Sequence, residues 1–166
     1  MARILIVGGG CRGRQLGGAM VGEGHAVRIT TRTDAGRPAI EAVGAECWIG
    51  TPDRLATLRA ALDSVAILCW LMSTAAGSAT QLQALHTERL EFFLTQAIDT
   101  TVRGFLYEAR ALSGDPGLLL AEGERIAREL TARNAIPAAY LTTDPSDADA
   151  WLGEAQGAIA GLLTRG

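Results

Sequence analysis

The stretch Ile4–Thr33, ILIVGGGCRGRQLGGAMVGEGHAVRITTRT, decides the fold. It opens on a continuous apolar run, Ile4-Leu5-Ile6-Val7, of the kind a strand carries when both faces of its sheet are covered. Gly8, Gly9 and Gly10 then interrupt the run, and a helix pattern begins near Arg12. Gly24-His25 turns the chain into a second strand pattern over Ala26–Thr31. Strand, glycine turn, helix and strand in immediate succession predict a βαβ unit, whose strands must be parallel.

Within that unit Gly8-x-Gly10-x-x-Gly13 fits the G-x-G-x-x-G pattern, placed after a strand and opening a helix as the pattern requires. One glycine permits the tight turn, one lets backbone approach a pyrophosphate, and one lets the helix press on the strand. The helix start then presents N–H groups without intrahelical partners to the anion. Gly8, Gly10 and Gly13 are therefore expected to cradle a dinucleotide, with Cys11 and Arg12 in the same turn. Gly9 and Gly17 make the crossing roomier.

The end of the second strand selects between dinucleotides. An acidic side chain there would accept from the ribose hydroxyls of NAD(H). Here the position is the neutral Thr31, followed by Arg32, whose guanidinium fork suits a phosphate. With Arg12, and with Arg14 as a further candidate, this predicts NADP(H) in preference to NAD(H). A slip of register would instead make Asp34 the ribose acid.

Further strand patterns occupy Glu46–Ile49, Val65–Leu71, Val102–Tyr107 and Ala138–Thr142. Helix patterns begin near Arg37, Asp53, Ala79, Leu118 and Asp147. Thr51-Pro52 reads as an N-cap followed by proline in the first turn, and Ser146-x-x-Asp149 as a capping box. Asn134 and Ile136-Pro137 end the helix before the last strand. Leu82, Leu85, Phe92, Phe93 and Ala97 follow a stripe along one long helix, Ala79–Ile98. Six strands alternating with helices predict an α/β fold. The expected architecture is a single doubly wound parallel sheet of Rossmann type, order 3-2-1-4-5-6, with helices on both faces. No linker divides residues 1–166, Ser113–Gly117 reading as a loop, so one domain is expected. The ligand should lie at the carboxyl ends of the strands, across the switch between the first and fourth.

Composition narrows the function. The chain has 166 residues and a net charge of −3, which gives no support for nucleic-acid binding. It carries no apolar run long enough to span a membrane, and its first residues enter a strand pattern at once, unlike a secretory leader. Cys11, Cys47 and Cys69 are odd in number and form no C-x-x-C pair, which predicts a reduced, cytoplasmic setting and no metal site. All 15 basic side chains are arginine. The absence of lysine removes Schiff-base chemistry and any tyrosine–lysine catalytic pair.

Gly10-x-x-Gly13-Arg14-Gln15-Leu16 and Gly24-His25-x-Val27-Arg28-x-x-Thr31-Arg32 resemble the start of extended and atypical short-chain dehydrogenase/reductases, including the epimerase-like and NmrA-like proteins. Val65–Leu68, Val102–Tyr107 and Glu122–Leu141 are similar, less specifically, to later strands and a helix of that family. The resemblance implies an oxidoreductase-like protein acting on a small organic substrate, with Trp70, Leu71 and Met72 divided between the core and packing against adenine and ribose. It also implies a homodimer through the long helix with Phe92-Phe93. The family's catalytic serine, tyrosine and lysine are not matched. Glu108-Ala109-Arg110-Ala111 stands where the serine belongs, Ser113 being a weak substitute, and Leu118–Arg133 contains no tyrosine. No catalytic residue is assigned on that basis. A dinucleotide sensor or regulatory protein without turnover is the alternative. The substrate lobe of extended members is not expected here, leaving a small pocket or one completed by a second subunit.

Glu108, at the end of the fifth strand, is a candidate reacting group. Asp144, Asp147 and Asp149 read as helix-start carboxylates, and His25 and His86 as structural. Cys11 is a small packing residue or a redox-sensing thiol, and Trp151 covers the substrate side or is simply buried.

Overall fold

The structure is a computed structural model that describes residues 1–112 and 117–165; the loop expected at Ser113–Gly117 lies mostly outside them. Six parallel strands, β1 (Arg3–Val7), β2 (Ala26–Thr31), β3 (Glu46–Ile49), β4 (Ile67–Trp70), β5 (Gly104–Glu108) and β6 (Ala138–Leu141), form one sheet. Their order is β3-β2-β1-β4-β5-β6, as the alternation of strand and helix patterns predicts. Helices α1 (Cys11–Gly22), α2 (Arg37–Glu41), α3 (Ala79–His86), α4 (Glu88–Ile98), α5 (Leu118–Arg133) and α6 (Ala148–Arg165) complete the fold.

The pleat divides the core. Leu5, Val7, Leu68, Trp70, Phe105 and Tyr107 point to the face covered by α3, α4 and α5. Ile4, Ile6, Ile29, Cys69 and Leu106 point to the face covered by α1, α2 and α6. In register, Val7 sits beside Trp70, and Trp70 beside Tyr107, so the strand ends that frame the crevice are aligned.

Three local expectations are corrected. Near Asp53 there is no α-helix: Leu55–Thr57 and Arg59–Leu62 are 3-10 turns. Side chains take the carbonyls that an α-helix would use. Arg28 Nη1 donates to Ala61 O at 2.6 Å, and Arg89 Nη1 donates to Pro52 O and Asp53 O at 3.0 and 2.6 Å. The long helix is broken at Thr87, where ψ is −99° and the hydroxyl bonds back to Gln83 O at 2.7 Å. Within α4 the expected stripe is divided too: Phe93 is buried while Phe92 is 56% exposed. At α6 the cap is Asp147, accepting from the Ala150 N–H at 3.2 Å, whereas Ser146 donates to Asp144.

Between sheet and helices lies one buried polar pair, His86 and Tyr107, with Nδ1 and Oη 2.9 Å apart. Gly123 of α5 fits against the phenol, where a Cβ would collide with Tyr107 Oη. Burial pushes the imidazole pKa from 6.5 down to about 4, against the opposing pull of a hydrogen bond to the Met72 backbone. Which partner donates between Nδ1 and the Tyr107 hydroxyl is set by the imidazole tautomer.

A folded-state pKa below the unfolded value means that the unfolded chain binds the proton first, so stability falls as pH drops from about 6.5 to about 4. His86 should account for a loss of about 3 kcal/mol across that window. Urea unfolding at pH 7 and pH 4.5 checks this: His86→Gln should show a flatter pH dependence than the native chain, and identical slopes would refute it.

Candidate functional site

The crevice at the carboxyl ends of β1 and β4 is built from backbone. Gly8 has φ of +127°, a left-handed conformation that a side chain would strain. A Cβ there would also strike Leu71 O, at Gly9 it would strike Thr30 O, and at Gly13 it would strike Gly8 O. Gly10 differs: a Cβ there would meet nothing within 4 Å, so it stands on the open side of the turn. It precedes α1, whose first turn has no side-chain cap. The first backbone bond of the helix is Arg14 N–H to Gly10 O, at 3.0 Å. The amides of Cys11, Arg12 and Gly13 therefore have no intrahelical acceptor, and these residues line a cleft of 380 Å³.

The cleft also takes in Arg32, Leu71 and Met72, and residues 74–76 of the β4–α3 loop. A second hollow of 280 Å³, lined by Gly8–Gly10, Thr30, Thr31, Arg32 and Pro52, continues it over the end of β2. Arg32 touches both and is paired with Asp53 Oδ2 at 3.2 Å. Its side chain is 61% exposed, so this bond contributes only about 0–1 kcal/mol and exchanges readily for a stronger anion. Asp34 does not compete for the strand end, because β2 stops at Thr31 and Asp34 binds Arg37 at 2.7 Å. Arg14 folds back onto Gly9 O at 2.7 Å.

Arg12 and Arg32 line the same cleft but pair with different carboxylates. The Arg12 guanidinium lies on the β5 side of the crevice, where Nε and Nη2 each donate to Glu108 at 3.1 Å. Nη2 also reaches Thr74 Oγ1 at 3.0 Å, and the group sits 5.4 Å from the Trp151 ring centre. Glu108, completely buried, accepts a third bond from the Ser73 N–H at 2.9 Å. Both carboxylate oxygens are thus committed to a clamp joining α1, β5 and the β4–α3 loop, and Glu108 is not free to act as a reacting group.

Trp70 is corrected as a ligand contact. The pleat turns it into the core, where it is fully buried with its ring 5.8 Å from that of Phe93, while Leu71 lines the cleft. Trp151 is likewise fully buried. Cys11 is exposed at the turn and Thr31 is half-buried at its edge. The sequence pattern did not single out Thr74, Ala75, Ala76 or Asp53. They reach the crevice from loops without a motif, and only the strand order places them there. Among the described residues, no three histidine, cysteine or acidic side chains converge as a metal site, and no helix is long and apolar enough to cross a membrane.

The fold is a Rossmann-type α/β fold, shared with solved structures that include a short-chain dehydrogenase/reductase superfamily protein. One is gox2253, with a TM-score of 0.71 and 18% identity over 86% of this chain and 51% of that one. A second is a short-chain dehydrogenase/reductase superfamily protein from Agrobacterium tumefaciens with bound NAD, with a TM-score of 0.67 and 20% identity over 84% of this chain and 48% of that one. A third is AtPrR2 with NADP+ and (+)pinoresinol, with a TM-score of 0.64 and 20% identity over 85% of this chain and 49% of that one. The chain spans about half the length of these structures. No protein-family profile and no curated protein matches it.

Arg12→Met should strand the Glu108 charge in the core and destabilise the chain by about 3 kcal/mol. Adding Glu108→Gln should restore part of that loss, read by urea unfolding as a double-mutant cycle. Strictly additive losses would show that the pair is not coupled.

Proposed function

We propose that this protein binds NADP(H) along the glycine turn and presents it to a small organic substrate, as an atypical short-chain oxidoreductase. The observation that carries this reading is Gly10: the turn is packed solid at Gly8, Gly9 and Gly13, yet open at the position where a pyrophosphate would approach. The uncommitted amides of Cys11, Arg12 and Gly13 would hold the anion. Leu71 and Thr31 would flank the adenosine half, and Arg32 would exchange Asp53 for the ribose phosphate. Among the solved structures, one is described with NAD and one with NADP+, so the preference for NADP(H) rests on Arg32 alone. When bound, the cofactor supplies a hydride at its nicotinamide, and the protein orients it and limits access by water.

A second reading is favoured by the clamp on Glu108. With that carboxylate committed and no tyrosine–lysine pair, the usual proton donor of short-chain dehydrogenases is missing, which suits a dinucleotide sensor without turnover. Either reading accommodates a cytoplasmic, single-domain chain. A homodimer through the outer face of α4 belongs to the proposal too, supported by the exposed Phe92.

Titration by NADPH fluorescence, followed by NADPH oxidation with a panel of carbonyl compounds, separates the two: binding with turnover supports the enzyme, and binding without it the sensor. Arg32→Ala should weaken NADPH about tenfold, the loss of one charge-assisted contact, and NADH far less. Equal losses would remove the case for phosphate recognition. Sedimentation velocity should show a dimer that Phe92→Asp dissociates, and a monomeric native chain would refute it.

A further inference from the structure

A second chamber of 400 Å³ opens beside the nucleotide cleft, and Met72 and Ala75 line both. Its walls come from two helices. Leu82 and His86, one turn apart on α3, form one side, and Leu118 and Leu119 at the start of α5 form the other. A capping box at Ser78, with the Gln81 N–H donating to its hydroxyl at 3.2 Å and Gln81 Oε1 accepting from the Ser78 N–H at 2.9 Å, secures the start of α3. The wall is therefore built on a helix secured at its N-terminus.

The leucines are unusual for a surface. Of three in succession on α5, Leu120 is buried in the core, but Leu118 is 74% exposed and Leu119 is half-buried. Leu82 is half-buried opposite them. Apolar side chains left around a concave site of this size mark a place where a ligand replaces water.

The polar inventory is as short as the apolar one is long. Among the described lining residues none carries a charge at neutral pH. His86 is buried with Nδ1 engaged by Tyr107. Ser73 is different. Its Oγ lies 3.5 Å from Arg12 Nη2 as an acceptor, which leaves the hydroxyl proton to donate. A carboxylate or phosphate brought into this chamber would lose its hydration, and Arg12, beyond Ser73, is already paired with Glu108.

From this geometry we propose that the chamber is the substrate site, and that it takes an uncharged, largely apolar small molecule with one carbonyl-type acceptor directed at Ser73. The proposal rests on the dinucleotide reading above, because the chamber is a substrate site only if a cofactor lies in the adjoining cleft.

Two ligands that share a ring system and differ in charge test it: 1-indanone and indane-1-carboxylate, titrated into the full chain by saturation-transfer NMR, with and without NADP+. The ketone should bind at least tenfold more tightly than the carboxylate. Leu82→Glu and Leu118→Glu should each weaken the ketone at least tenfold. Because Leu118 is exposed, that variant should melt as cooperatively as the native chain, which separates loss of the site from loss of the fold. No ketone binding, equal binding of the two ligands, or indifference to both substitutions would overturn the proposal. Ketone binding in a chain that fails to bind NADP+ would instead overturn the dinucleotide reading and leave the apolar specificity of the chamber standing.

Discussion

The close approach of the glycine turn to its neighbours is the constraint on which the rest of the crevice depends. Gly8 lies against the Leu71 backbone, Gly9 against that of Thr30, and Gly13 against that of Gly8. These contacts lock the tip of β1 to β4 on one side and β2 on the other, and they bring the start of α1 onto the strand end. Adding a methyl group at any of the three would push backbone against backbone, where no side chain can move aside. Since Gly10 escapes that crowding, the turn has both a rigid back and an open front.

The second organising contact is the clamp between Arg12 and Glu108. It spans from α1 across the end of β4 to β5 and draws in Ser73 and Thr74 from the intervening loop. Burying a carboxylate completely is tolerable because three N–H donors surround it, two of them from one guanidinium. The clamp separates charge along the crevice. Arg32 remains exchangeable over β2, whereas the positive charge of Arg12 is neutralised at the other end, next to the chamber bounded by leucines.

Much of the first βαβ unit was legible because its signals are local. An apolar run, a glycine turn and an alternation of strand and helix patterns depend on residues adjacent in the chain, and β1, β2, β3 and the sheet order follow from them. The failures share one cause. Thr51-Pro52 carries helix-start residues, but Arg28 and Arg89, distant in sequence, take the carbonyls there. Phe92-Phe93 looks like a single apolar feature, but neighbours on a helix diverge by about 100°, and the packing of α4 puts only Phe93 in the core.

By itself the sequence determined the parallel doubly wound sheet, the glycine turn and the absence of a tyrosine–lysine pair. Each is a matter of residue identity and short-range periodicity. Only the tertiary structure decided which charges remain available: Arg12 and Glu108 are 96 positions apart and cancel each other, and Trp70 faces the core rather than the cleft. Such outcomes depend on distances through space and on burial, which raises the cost of an unpaired charge far above its value in water. A linear pattern records neither.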